Sequence, residues 1–191
     1  VLHMSTLMAL EHVIAAKFEG LRVTAEVTPQ HLVLTEDDVE RLGTSGKMNP
    51  PVRLLEDVEA LRVGLIRGHV DAVATDHAPH HPELKGTSMA TAAPGMLGVE
   101  TMASVIWSEF VETGLMSPTD FVRRLSVNPA KIAGITDHGK QVQIGAVANL
   151  AVFDPSQSWT VRGEDLVSKS RNTPWEGRSF AGRIRHTVLA G

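Results

Sequence analysis

Cysteine is absent from this 191-residue sequence, which excludes disulfides, thiolate metal ligands and cysteine nucleophiles. A positive charge excess is also missing, since 18 Lys and Arg stand against 22 Asp and Glu, for a formal net charge of −4. We therefore expect no nucleic-acid partner and no attraction to an anionic membrane. Long apolar runs and a secretory signal pattern are lacking too, so no membrane span is expected. The composition is that of an ordinary globular protein, and a cysteine-free chain fits a cytoplasmic location.

Helix and strand patterns alternate through the first half of the chain. Apolar residues at helical spacing predict helices over Leu7–Phe18 and Leu54–Arg67. Short apolar runs predict strands at Val1–Ser5, Leu21–Thr28 and Val70–Thr75. Strands that alternate with helices are typical of βαβ units, so the sequence predicts an α/β fold with a parallel sheet.

The pattern changes between residues 136 and 140. Before this point, helices are predicted at Val99–Thr113 and from Ser117 to about Val127. After it, turn residues separate short strand-like runs, at Ala148–Phe153, Trp159–Val161 and Arg185–Leu189. We therefore divide the chain into an α/β part, 1–136, and a small β module, 137–191. Both ends of the chain look like strands in progress, so we expect further sequence on either side.

Acidic and imidazole side chains cluster where a predicted strand ends. Asp76 directly follows the strand Val70–Thr75 and begins the run Asp-His-Ala-Pro-His-His, while His3 lies near the end of the opening strand. In parallel α/β folds, ligands bind at the carboxyl ends of the strands. Carboxylates and imidazoles are suitable zinc ligands, and burying several of them in one turn is costly unless they bind something. A functional site is favoured over a solvated loop tip.

The run Thr75–His80 resembles the strand-eight signature of dihydroorotases, in the type I branch of the amidohydrolase superfamily. Further stretches resemble other family motifs in the same order. They are His3–Thr6, Val23–Pro29, Lys47–Pro51, Pro94–Glu100, Gly145–Asp154 and Asn172–Trp175.

The resemblance implies a (β/α)8 TIM-type barrel with a flanking β-sandwich. A complete barrel takes about 250 residues, so this chain would be a C-terminal fragment that contains strands six to eight and part of the sandwich. Strands one to five would precede Val1, and the fragment alone is expected to be inactive.

The same resemblance implies a reaction and its residues. The family binds two zinc ions and reversibly hydrolyses the cyclic amide dihydroorotate to N-carbamoyl-L-aspartate, in pyrimidine biosynthesis. His3 would bind one zinc ion and Asp76 the other, with the remaining ligands outside this sequence. Asp76 would also act as the general acid and base. Asn49, His80, Pro94 and Gly95 would bind the substrate.

Some polar residues receive no role in this assignment, and other functions are compatible with the same sequence. Gln30 and His31 receive no metal role, and Lys85 is expected to be a solvated charge. A hydantoinase or allantoinase relative would share the barrel and its zinc chemistry. A second alternative is an inactive dihydroorotase-like scaffold for aspartate transcarbamoylase. The assembly could be a homodimer or a complex with that enzyme, and the isolated fragment is expected to self-associate through its open sheet edge.

Overall fold

A parallel strand pair lies at the centre of the structure, a computed structural model that describes residues 1–86 and 88–191. Strand β1 (Glu26–Val27) pairs with β2 (Ala72–Val73), with Glu26 opposite Ala72 and Val27 opposite Val73. The pairing confirms the α/β prediction. Both strands are shorter than predicted, because the flanking residues of 21–28 and 70–75 are extended without regular pairing.

The opening segment lies along the other side of β1 but is not a regular strand. Glu26 N donates to Val1 O at 3.0 Å, and Met4 N donates to Glu26 O at 2.9 Å. A parallel ladder would return to Glu26 one residue earlier, so the segment contains an extra residue, as in a bulge. The prediction of a regular strand at Val1–Ser5 is therefore wrong, although the segment lies beside β1, as expected.

Two helices cover this sheet, as predicted. Helix α1 spans Leu7–Phe18 and begins at the Thr6 side chain, which accepts a hydrogen bond from Ala9 N. Helix α4 spans Leu55–Arg67 and ends at Gly68, whose left-handed backbone suits glycine. The two helices pack closely, because a Cβ at Gly64 would lie 2.9 Å from the Leu10 side chain. Apolar side chains of both helices and both strands form the first core: Leu10, Val13, Val27, Leu61, Leu65, Val70 and Val73.

Short helices connect and follow these elements. After β1 come α2 (Pro29–Val33), α3 (Glu36–Leu42) and a 3-10 turn at Gly43–Gly46. After β2 come α5 (Pro82–Lys85) and α6 (Met102–Ile106), which widens into a π-type turn at Trp107–Val111. Helix α7 (Pro118–Val122) begins at Ser117, as predicted, and continues through a π-type turn at Arg123–Val127 into α8 (Asn128–Ile132).

The last part of the chain is an antiparallel hairpin. Strand β3 spans Leu150–Thr160 and pairs with β4, Ser179–Val188. The predicted separate strands at 148–153 and 159–161 are parts of β3, whose irregular pairing between Asp154 and Ser158 explains the break in the pattern. A 3-10 turn at Gly163–Asp165 lies between the strands. The division into 1–136 and 137–191 remains a prediction.

Aromatic rings join the hairpin to the helices. Phe153 of β3 lies 5.0 Å from Trp107 and 5.4 Å from Phe121, measured between ring centroids. Gly182 of β4 lies directly against the Phe153 ring and has φ +80°. A second apolar core contains Trp175 and Phe180, whose rings are in edge-to-face contact with their centroids 5.7 Å apart. No helix in residues 1–86 or 88–191 is long and apolar enough to cross a membrane.

The contact between Gly182 and Phe153 generates a stability prediction. A Cβ at Gly182 would lie 2.2 Å from the Phe153 ring, and the positive φ adds strain. We expect Gly182→Ala to lower the free energy of unfolding in urea by about 2–4 kcal/mol. Gly177→Ala is the matched control, because Gly177 has φ +75° with no atom close to a Cβ. Equal losses in the two variants would contradict the packing argument.

Candidate active site

His3 and Asp76 share an unusual backbone conformation. Among the described residues, three non-glycine residues have positive φ, and two of them are His3 at +33° and Asp76 at +44°. Such conformations cost about 1–3 kcal/mol and persist where the surrounding structure or a function requires them. His3 is at the bulge of the opening segment, and Asp76 lies three residues beyond β2. Because these segments run parallel on either side of β1, both residues lie towards the carboxyl-end edge of the sheet.

The His3 imidazole has an unused nitrogen in the protein interior. Its Nδ1 is buried and has no hydrogen-bond partner within the described part of the chain. A buried polar atom without a partner is costly, so a missing ligand is the expected reason. An imidazole nitrogen and a carboxylate are suitable donors for zinc. The two predicted ligands therefore fit a metal in chemistry, although the described residues contain no group of three or more His, Asp or Glu side chains placed to hold one.

His31 lies near His3 and Asp76, but both nitrogens of its imidazole are already hydrogen-bonded. Its Nε2 donates to Pro50 O at 3.0 Å, and its Nδ1 accepts from Thr28 Oγ1 at 2.9 Å. Burial lowers the pKa of His31, His3 acts in the same direction, and Asp76 opposes it, so both lie within electrostatic reach. With both ring nitrogens engaged, His31 has a structural role in this part of the chain.

The turn that follows Asp76 is bonded to the loop 94–98. Ala78 N donates to Met96 O at 2.9 Å, and His77 Nδ1 accepts from Gly98 N at 3.1 Å. His80 Nε2 donates to Pro94 O, also at 2.9 Å. The residues from Asp76 to His80 thus form one unit with the loop that was predicted to contact the substrate.

Asn172, from the segment before β4, holds this unit together. Its Nδ2 donates to Ala78 O at 2.9 Å and to Gly95 O at 3.1 Å, while its Oδ1 accepts from His80 N at 3.3 Å. Glu100 fixes the preceding residues, since its carboxylate accepts from Val167 N and Ser168 N at 3.0 and 3.1 Å. The motif Asn172–Trp175 was noticed in the sequence, but this role was missed because its partners lie more than 70 residues away.

The predicted substrate residues lie around one loop junction. Asn49 is exposed, and Lys47, two residues earlier, accepts a hydrogen bond from Gly95 N at 2.8 Å. Gly95 O accepts two hydrogen bonds, so both of its lone pairs are used. Pro94 has no N–H, and its carbonyl accepts one bond from His80. Substrate binding by Pro94 and Gly95 remains a prediction.

Lys85 is buried, which corrects the expectation of a solvated charge. It is 6% exposed, and its Nζ donates to the carbonyls of Ala93, Gly95 and Lys47 at 2.9, 3.0 and 3.3 Å. No local pattern indicates this burial, because the carbonyls that enclose Lys85 come from two separate loops. A cleft of about 140 Å³ next to Lys85 is lined by His80, Arg171 and Asn172.

Known proteins resemble this chain over nearly its whole length. The sequence profile of the Amidohydrolase family matches residues 5–191. The chain is 47% identical to a dihydroorotase of Streptomyces coelicolor over 189 residues, and 43% identical to a dihydroorotase of Mycobacterium tuberculosis. Each match covers 99% of this chain and 44% of the relative. The chain therefore spans less than half the length of the curated relatives it matches.

Solved hydantoinases have the same arrangement of elements. An L-hydantoinase (dihydropyrimidinase) from Arthrobacter aurescens superimposes with a TM-score of 0.93 at 31% identity, and a D-hydantoinase from Thermus sp. with 0.91 at 26%. Both matches cover all of this chain and 43% of the solved chain.

The close approach at Gly95 gives a prediction for the site. Gly95 has φ +138°, and a Cβ there would lie 2.4 Å from Ala78 Cβ and 2.9 Å from His80 Nε2. We expect Gly95→Ala to displace the turn and lower the free energy of unfolding by about 2–4 kcal/mol. The control is Gly86→Ala, since Gly86 has φ +52° and its nearest neighbour is 3.7 Å away. Urea unfolding and the NMR shift of the His80 ring compare the variants; an unmoved His80 signal would contradict the close packing.

Proposed function

The chain belongs to the amidohydrolase family, and from this premise we propose that it is the C-terminal part of a zinc-dependent dihydroorotase. In this proposal the complete protein reversibly hydrolyses dihydroorotate to N-carbamoyl-L-aspartate in pyrimidine biosynthesis. The opening segment, β1 and β2 are strands six, seven and eight of a (β/α)8 barrel. The hairpin of β3 and β4 is part of the flanking β-sandwich.

The geometry of His3 and Asp76 is the observation that carries this proposal. Both residues have a left-handed backbone, and both lie towards the sheet edge where parallel α/β folds place their ligands. His3 also has a buried nitrogen without a partner. The two left-handed backbones and the unused nitrogen support a role for these residues in ligand binding.

Two zinc ions are proposed for the complete site. His3 would hold one and Asp76 the other, and the remaining ligands would come from residues outside this sequence. Catalytic zinc sites commonly have three protein ligands, so these two side chains alone are too few. When bound, zinc acidifies water and polarises an amide carbonyl.

Asp76 is proposed to move the proton of the reaction. Its carboxylate accepts a proton from the attacking water as the carbon–oxygen bond forms. It then donates this proton to the ring nitrogen as the carbon–nitrogen bond breaks. Hydrogen bonds anchor the turn after Asp76 to Met96 and Gly98, which limits how far the carboxylate moves between the two steps.

Asn49 and His80 are proposed to recognise the substrate. Asn49 is exposed, two residues after Lys47, and its side-chain amide has a donor and an acceptor that match the edge of a pyrimidine ring. His80 already donates its Nε2–H to Pro94 O. A second donation, to the substrate carboxylate, therefore requires a proton on Nδ1 and hence a protonated imidazole.

A hydantoinase is the second candidate, and the solved neighbours favour it. Their backbones superimpose over the full length of this chain, with TM-scores of 0.93 and 0.91. The dihydroorotase relatives are more similar in sequence, at 42–47% against 26–31% identity. The first candidate is therefore preferred. The remaining alternative is a catalytically inactive partner of aspartate transcarbamoylase.

The test is dihydroorotate hydrolysis by the longest natural form of the protein, loaded with zinc. We expect turnover that a chelator abolishes and added zinc restores. Asp76→Asn should lower kcat by at least about 100-fold, because it removes the proposed proton carrier. Glu112→Gln, at an exposed position distant in sequence from the site, is the matched control and should retain activity.

Other outcomes separate the candidates. Turnover of hydantoin or a dihydropyrimidine without turnover of dihydroorotate would favour the hydantoinase. Absence of turnover on all three, together with co-sedimentation with aspartate transcarbamoylase, would favour the scaffold. Full activity of Asp76→Asn would overturn the proposed role of this carboxylate.

A further inference from the structure

Lys85 is a buried cation whose hydrogen-bonding capacity is used within the protein. A lysine ammonium has three N–H donors, and Nζ of Lys85 contacts three backbone carbonyls, at 2.9, 3.0 and 3.3 Å. No donor is left for a ligand. Any effect of Lys85 on a reaction must therefore act through the backbone that it holds.

The three carbonyls belong to the two segments that carry the proposed substrate residues. Lys47 is two residues before Asn49, and Ala93 and Gly95 flank Pro94. Gly95 N donates to Lys47 O, so the two segments are also bonded directly to each other, at 2.8 Å. Lys85 thus fastens a junction between two loops. The loop at Lys47 is far from Lys85 along the chain, and the loop at Ala93 and Gly95 is near it.

Burying the Lys85 ammonium costs free energy, because the charge loses its water. Burial lowers the pKa of Lys85, and the positive charge of Lys47 acts in the same direction. A buried charge is tolerated when hydrogen bonds replace its water, which the three carbonyls do. A solvent-exposed lysine would avoid this desolvation cost. We therefore expect the benefit of burying Lys85 to be the loop geometry that its hydrogen bonds fix.

The junction has a second anchor, so it does not depend on Lys85 alone. Asn172 Nδ2 also donates to Gly95 O, at 3.1 Å, and to Ala78 O. Loss of the lysine is therefore expected to loosen the junction while the surrounding core remains folded. This separates a local effect from general unfolding.

We propose that Lys85 is a positioning residue, which holds the segments around Asn49 and Pro94 in the geometry that receives the substrate. The loop-fastening role stands on the contacts of this chain. The identity of the substrate rests on the proposed function. Each part has its own experiment.

The first experiment measures amide hydrogen exchange in the longest natural form of the protein. We expect Lys85→Met, which keeps the length of the side chain but removes the ammonium, to accelerate exchange of the Gly95 amide at least about 10-fold. Amides of α4 should exchange at unchanged rates. Lys131→Met is the matched control, because Lys131 is exposed, and it should leave Gly95 unaffected.

Two results would overturn the fastening role. One is an unchanged rate at Gly95, and the other is equal acceleration at Gly95 and throughout α4. If Lys85→Met does not fold, Lys85→Gln is measured instead. This variant keeps an amide donor, and we expect a smaller acceleration of Gly95 amide exchange. Unchanged Gly95 exchange in Lys85→Gln would then contradict the proposal.

The second experiment uses the longest natural form of the protein with zinc. We expect Lys85→Met to raise KM for dihydroorotate about 10- to 100-fold with kcat changed less than threefold, because substrate loops lose their preset geometry. A fall in kcat at constant KM would overturn the positioning role. If the unsubstituted protein does not hydrolyse dihydroorotate, the proposed function fails, and the exchange result still decides the loop-fastening role.

Discussion

Parallel alignment of three neighbouring chain segments is the constraint on which the rest of the structure depends. The opening segment, β1 and β2 share one direction, and regular pairing covers two residues in each strand. This short ladder directs the residues that follow each segment towards the same edge of the sheet. His3 and Asp76 are brought to one side of the fold by this alignment, although 73 positions separate them. The helices α1 and α4 stabilise the ladder by burying its apolar face.

Beyond this edge, hydrogen bonds from the Asn172 and Lys85 side chains to backbone carbonyls hold the loops. Asn172 joins the turn at Ala78 to the loop at Gly95, and Lys85 joins that loop to Lys47. The donors are side chains and most acceptors are carbonyls, so the network fixes backbone positions without consuming the side chains of Asn49 or Asp76. A site that binds a small, rigid ring benefits from such fixed loops, because less entropy is lost when the substrate binds. The hairpin contributes by setting the position of the segment that contains Asn172.

Sequence patterns predicted the two long helices well and the loop network poorly. Helices α1 and α4 and the parallel pairing follow from apolar periodicity, which local sequence reports directly. The strand lengths were overestimated, since extended residues on both sides of Glu26–Val27 look like strand but lack regular partners. Lys85 was misjudged because its burial depends on carbonyls from other segments, which have no signature in the sequence. The positions of His3 and Asp76 at the ends of predicted strands identified them as candidates, while their strained backbone became visible only in three dimensions.

The central claim is that His3 and Asp76 are ligands of a catalytic zinc site. X-ray anomalous scattering at the zinc edge, on crystals of the longest natural form of the protein, tests it directly. We expect anomalous peaks about 2.0–2.2 Å from a ring nitrogen of His3 and from a carboxylate oxygen of Asp76. Zinc bound elsewhere, with neither side chain in contact with it, would contradict the assignment of these two ligands.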